Sequence, residues 1–135
     1  MTCFVVGPDV ALHLAERGEA IPTKHRLLAP TLLRSQVLAL LYEAVRRGDL
    51  DRKRADGRLD YLRALKLRLL GDRVLQRVAW EIACQLDWPD TFQAEYLALT
   101  RLQADAFITL NRDLAQAVQG IVPVGSIEDI TRAPG

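Results

Sequence analysis

Cysteine and histidine are scarce in this 135-residue sequence, two of each. Cys3, Cys84, His13 and His25 stand far apart and form no CxxC or comparable ligand spacing, which argues against a zinc site. Each cysteine lies in an apolar run and reads as a small buried hydrophobe. Neither histidine has an assignable Ser, Cys or Asp partner, so a nucleophilic triad has no support. His13 reads as a helix surface residue and His25 as a loop residue. No GxxxxGK or GxGxxG stretch is present, so phosphate-cradling glycine loops are not indicated. No apolar run approaches the roughly 20 residues that span a bilayer. The opening Met1-Thr2-Cys3-Phe4-Val5-Val6 has neither a basic leader nor a long apolar stretch. A cytoplasmic protein without membrane association is expected. An excess of one charge is lacking too. Lys+Arg number 18 against Asp+Glu 17, a net +1 that does not announce a nucleic-acid binder. The two tryptophans, Trp80 and Trp88, read as core or interface anchors.

Apolar residues are plentiful, at 50% of the chain, and recur from end to end. Such a chain builds one compact domain, expected over residues 1–130, with a frayed tail at 131–135. Phe4-Val5-Val6 is a short strand covered on both faces, ended by Gly7-Pro8. Asp9 then caps a helix over Val10 to Arg17, and a polar loop runs from Glu19 to Arg26. Leu27-Leu28-Ala29 is a second short strand. A helix from Thr31 to Arg47 carries Leu33, Val37, Leu40, Leu41, Ala44 and Val45 as its apolar stripe, with Gly48 as the stop. A further helix covers Asp51 to Ala64, and alternation from Leu65 to Leu70 marks a strand. Arg73 to Leu86 is amphipathic through Val74, Val78, Ile82 and Leu86. Phe92 to Gln103 is helical, Ala106 to Leu110 a strand, Arg112 to Gln119 a helix, and Ile121 to Val124 the last strand. Strands alternating with helices predict an α/β domain: three layers, α/β/α, around a mainly parallel sheet.

Ligands of open parallel sheets sit beyond the carboxyl ends of the strands. Those ends here carry Gly7-Pro8-Asp9, Pro30-Thr31, Gly71-Asp72 and Asn111-Arg112. A metal-dependent phosphodiesterase needs several carboxylates there, because Mg²⁺ takes oxygen ligands and activates water beside the phosphate. This chain has the frame with little of the charge.

Four blocks resemble the PIN-domain family of the VapC toxin type. Phe4-Val5-Val6-Gly7-Pro8-Asp9-Val10-Ala11-Leu12 resembles the opening strand, Asp-x-Ser and helix. Leu28 to Val37 resembles the block in which a Glu follows a proline-started helix. Phe92 to Leu99 resembles the block with an Asp before a Tyr-Leu-Ala-Leu run, and Phe107 to Leu114 the strand ending in Thr-x-Asp. The blocks occur in family order over nearly the whole chain. The resemblance implies a small RNase using Mg²⁺ or Mn²⁺, commonly a toxin held by an antitoxin and often a dimer. The departures qualify it. The family's acids fall on Gly7, Gln36, Gln93 and Asn111, none of which carries charge, while Thr109 keeps the family's hydroxyl. The expectation is a degenerate active site without metal or other cofactor. The protein then acts by binding a partner, either an antitoxin-like protein or RNA, as a homodimer or paired with another PIN protein.

Acids stand two residues beyond three of these positions, at Asp9, Glu95 and Asp113, so a recruited site is the alternative. Asp9 is the best placed, since positions i and i+2 at a strand end share a side. Glu95, on a helix, points away from Gln93. Asp113 suits the first turn of its helix, and Asp90 reads as a cap after Pro89. In that alternative the chain is an active Mg²⁺- or Mn²⁺-dependent endoribonuclease toxin working through Asp9 with Asp90 or Asp113. Gln36, Gln93 and Asn111 either form a pocket for a nucleotide or phosphate, or a relic filled by water. From Arg46 to Arg77, eleven basic residues face five acids, a local net of +6. That bias suits RNA phosphates or an acidic partner segment, and equally a solvated helix face with internal ion pairs.

Overall fold

A computed structural model describes residues 1–132. Strand β1 (Thr2–Val6) leads into α1 (Pro8–Arg17), β2 (His25–Pro30), α2 (Leu32–Arg47) and α3 (Arg52–Ala64). Then come β3 (Leu67–Leu70), α4 (Arg73–Gln85), α5 (Phe92–Gln103), β4 (Ala106–Ile108), α6 (Arg112–Val118), β5 (Val124–Gly125) and α7 (Ile127–Thr131). The five strands form one sheet in the order β3-β2-β1-β4-β5. Every pairing is parallel, with Phe4 opposite both Leu27 and Ala106. Helices cover both faces, giving the three-layer α/β/α arrangement.

The pleat sorts the core. Phe4, Val6, Leu27 and Ile108 pack with Val10, Leu14 and Ile130 on the α1 and α7 side. Val5, Leu28 and Phe107 point the other way, into a larger cluster with Leu75, Ile82 and Leu97 of α4 and α5. Central strands buried on both faces need unbroken apolar runs, which is what β1, β2 and β4 supply. Among the described residues, no helix is long and apolar enough to cross a membrane.

Several expected boundaries move, each for a physical reason. Helix α1 begins at Pro8, with Gly7 at the N-cap position, so Asp9 is not the cap. Proline's fixed φ and missing N–H suit the first helical position and draw the start forward. Strand β2 begins at His25, so this residue and Arg26 belong to the sheet. The His25 Nε2–H donates to the Arg132 carbonyl at 2.8 Å, and the ring edge rests on Phe4. Strand β3 starts only at Leu67. Strand β4 ends at Ile108, because the Leu110 and Asn111 amides donate to side chains rather than to a neighbouring strand. The last strand is Val124–Gly125, not Ile121–Val124. The Ile121 and Val122 amides donate back to the Val118 carbonyl, and Pro123 has no N–H to give.

Helix α7 was not expected. Its start is held by Asp129, whose carboxylate accepts from the Ser126 amide at 2.9 Å. Thr131, placed by sequence in a frayed tail, closes that helix, while residues 133–135 lie outside the described ones. On α4 the buried stripe is Leu75, Ala79, Ile82 and Ala83, and Val74 faces out. The small alanines let α4 lie close against α5. Trp80 is 68% exposed and therefore no core anchor, whereas Trp88 packs on the main cluster. Cys3 is half-buried and Cys84 exposed, so neither is the buried hydrophobe its surroundings suggested.

Candidate functional site

The strand order reverses direction between β1 and β4. Crossovers leave to opposite sides there, so a crevice opens beyond the carboxyl ends of these two strands. A cavity of about 430 Å³ occupies this crevice. Gly7, Gln36, Gln93 and Asn111 all line it, joined by Asp9, Thr109, Tyr96, Phe107 and Leu40. Four positions separated by up to just over a hundred residues in sequence thus converge on one hollow. Asp90 and Asp113 do not line it. The Asp90 carboxylate accepts from the Phe92 amide at 3.1 Å, a turn-capping role. Asp113 lies exposed in the first turn of α6, where a negative charge meets the positive helix end.

Asp9 sits in the first turn of α1 and reaches across to β4. Its Oδ2 accepts from the Thr109 hydroxyl at 2.9 Å and from the Leu110 amide at 2.8 Å. Its Oδ1 accepts from the Val10 amide at 2.9 Å. Three donors therefore hold this carboxylate, and they tie the start of α1 to the end of β4. Gly7 explains how it fits. A Cβ at position 7 would stand 2.7 Å from Asp9 Oδ1 and be in collision with it. The Asp9 carboxylate fills the space that a side chain at position 7 would need.

The amides are also engaged. Asn111 caps α6, its side-chain oxygen accepting from the Leu114 amide at 3.1 Å. Gln36 Oε1 accepts from the Tyr96 hydroxyl at 2.5 Å. Burial pushes the Tyr96 hydroxyl far above its usual range, and the negative charges of Glu95 and Asp9 push it further. Tyr96 thus stays a donor at every physiological pH, which fixes the Gln36 oxygen as its acceptor. Sequence reasoning assigned Tyr96 no role. Its spacing from Gln93, one helical turn, was the signal that both face the same cavity.

Glu95 does not line the cavity, as its helical offset from Gln93 predicted. Burial alone raises its carboxyl above the ordinary 4.5. An acid with a raised folded pKa favours folding at low pH and loses that contribution as pH rises through the folded value. Glu95→Gln is therefore expected to raise the melting temperature slightly near neutral pH and to change nothing well below 4.5. Melting curves across pH test this, and a gain that persisted in acid would contradict the burial account.

A larger hollow of about 530 Å³ lies between α2, α3 and β3. Its lining is apolar, with Leu33, Val37, Leu59 and Leu62, except for Arg34 and Arg63. In the basic segment every acid is locally engaged. Asp49, Asp51, Asp56 and Asp60 pair with Arg47, Arg54, Arg52 and Arg63, and Asp72 caps α4 through the Leu75 amide. These ion pairs are exposed and contribute little individually.

No protein-family model matches the sequence, and no curated protein matches it. The fold is similar to that in the crystal structure of PAE2754 from Pyrobaculum aerophilum, with a TM-score of 0.74. The likeness covers 95% of this chain and 91% of that one at 20% sequence identity, which establishes the fold alone.

Proposed function

We propose that this chain is a PIN-like domain of the VapC type that has lost its metal-binding acids and acts by binding, not by cutting RNA. One observation carries the reading. The four positions where the family resemblance demands acids meet in a single cavity, and all four are uncharged. The remaining carboxylate, Asp9, is already held by three donors. Mg²⁺ and Mn²⁺ require several oxygen ligands, commonly more than one of them anionic. A lone saturated carboxylate among amides does not fit that requirement, and these residues give metal-assisted hydrolysis no footing.

A protein partner suits the surface better than RNA. The hollow between α2, α3 and β3 is apolar with arginines at its margin, which matches an amphipathic segment bearing acids. Four arginines of the basic segment are paired with its own aspartates, which reduces but does not remove its excess of positive charge as a phosphate track.

A second reading has its own observation. Asp9 places a carboxylate in the volume where a residue-7 side chain would project, so the acid is transposed by two positions, not simply lost. In that reading the chain remains an Mg²⁺- or Mn²⁺-dependent endoribonuclease toxin. It would have to free Asp9 from its donors and find further acids, and neither Asp90 nor Asp113 reaches the cavity.

Calorimetric titration of chelator-stripped protein with Mn²⁺ separates the two. The expected result is no saturable heat up to millimolar metal and no cleavage of single-stranded RNA. Saturable binding at defined stoichiometry, with cleavage abolished by Asp9→Ala, would establish the second reading instead.

A further inference from the structure

On two of the cavity's amides, Gln36 and Asn111, the hydrogen bonds engage the oxygens and leave the nitrogens. Asn111 Oδ1 is held by the Leu114 amide and Gln36 Oε1 by the Tyr96 hydroxyl. Among the described residues no hydrogen bond engages either amide nitrogen, and both side chains line the cavity, Gln36 half-buried and Asn111 exposed. Each –NH₂ is thus a free donor. A carboxylate at either position would offer only acceptors. An amide in place of an acid therefore inverts the polarity of the site, from one that attracts cations to one that presents N–H groups.

The other members narrow the ligand further. Asp9 keeps one acceptor site, since a carboxylate offers about four and three are taken. Leu40, Phe107 and Leu114 supply apolar wall. No lysine or arginine lines the cavity, so an anion would meet a carboxylate with no cation to offset it. The cavity volume of about 430 Å³ exceeds what a single ring requires.

We propose that this cavity binds a neutral, flat ligand bearing an imide edge, two carbonyls flanking an N–H, of which the uracil base is the simplest biological example. The two carbonyls accept from Gln36 and Asn111, the N–H donates to the open Asp9 position, and the ring faces lie against the leucine and phenylalanine walls. Phosphate and divalent cations are rejected by the same groups. This inference rests on the reading that the site has lost its metal chemistry.

The test is a titration of the isotope-labelled full chain by NMR, with uridine, N3-methyluridine and inorganic phosphate as probes. Side-chain NH₂ resonances are assigned by their disappearance in Gln36→Glu and Asn111→Asp. Both variants conserve the bonds that matter to the fold, because a carboxylate still accepts from Tyr96 and still caps α6. Uridine is expected to shift both NH₂ pairs saturably. N3-methyluridine, which cannot donate, is expected to bind about tenfold more weakly. Each acid variant is expected to weaken uridine by a similar factor of about ten, and phosphate to leave both pairs unmoved. NH₂ resonances that respond to phosphate, or stay still with uridine, overturn the imide assignment. If Mn²⁺ also remains silent in that case, the metal-loss reading survives alone. Saturable Mn²⁺ binding would instead bring down that reading.

Discussion

The variant carrying Gly7→Asp, Gln36→Glu, Gln93→Asp and Asn111→Asp is expected to melt about 10 °C below the parent protein in chelator. Two effects add. At position 7 the new Cβ meets Asp9 Oδ1 at 2.7 Å, so that oxygen must move from the Val10 amide and the carboxylate's hold on Thr109 and Leu110 is strained. Around the cavity, four new carboxylates then face Asp9 without a cation, and like charges at close range disfavour ionisation and the compact state alike. Differential scanning calorimetry in chelator and in Mn²⁺ gives the comparison. Added Mn²⁺ is expected to recover part of the loss, since a cation that binds only the folded state stabilises it. The pair Gly7→Asp with Asp9→Ser is the control for crowding, because it empties the contested volume before filling it. Its melting temperature should lie well above that of Gly7→Asp alone. A quadruple variant melting above the parent in chelator would sink this account of the pocket.

Asp9→Ala comes next in expected size, at about 2 kcal/mol. The loss exceeds that of an ordinary surface charge because the carboxylate joins elements made at opposite ends of the chain. Its removal leaves the Thr109 hydroxyl and the Leu110 amide without their acceptor. Thr109→Val alone should cost about 1 kcal/mol, and adding it to Asp9→Ala should cost little more. Denaturant melts of the three variants give the coupling directly. Strict additivity would mean that the Asp9–Thr109 bond contributes nothing measurable.

Much of this was legible in the sequence because burial on both faces leaves a plain signature. Phe4-Val5-Val6, Leu27-Leu28 and Phe107-Ile108 are continuous apolar runs, and the parallel sheet follows from the helices between them. The grouping of Gly7, Gln36, Gln93 and Asn111 was legible only through the family resemblance of the four blocks, and these positions do line one cavity. What escaped was decided by single hydrogen bonds. Nothing in the local pattern shows that Asp9 would serve β4 and not its own helix cap, since that depends on Pro8 starting the helix early and on Thr109 arriving beside it. Helix α7 is short, and only its Ser126–Asp129 contact marks its start. On α4, Val78, Ile82 and Leu86 pack on the core as their spacing predicts, whereas Val74 faces out and the small Ala79 and Ala83 widen the buried face beyond the large residues that mark it.

The central position of β1 has a consequence for synthesis. Its partner on one side, β2, follows within 25 residues of it, but its partner on the other, β4, begins only at Ala106. A nascent chain that has emerged through β3 can assemble three strands while the second edge of β1 stays open. Such an edge is a template for pairing with any other strand, and long-range parallel pairing closes it slowly. The Asp9–Thr109 bond can form only once β4 has docked. It therefore acts as a late latch, and weakening it should lengthen the interval in which the half-built sheet is exposed to aggregation or to chaperone capture.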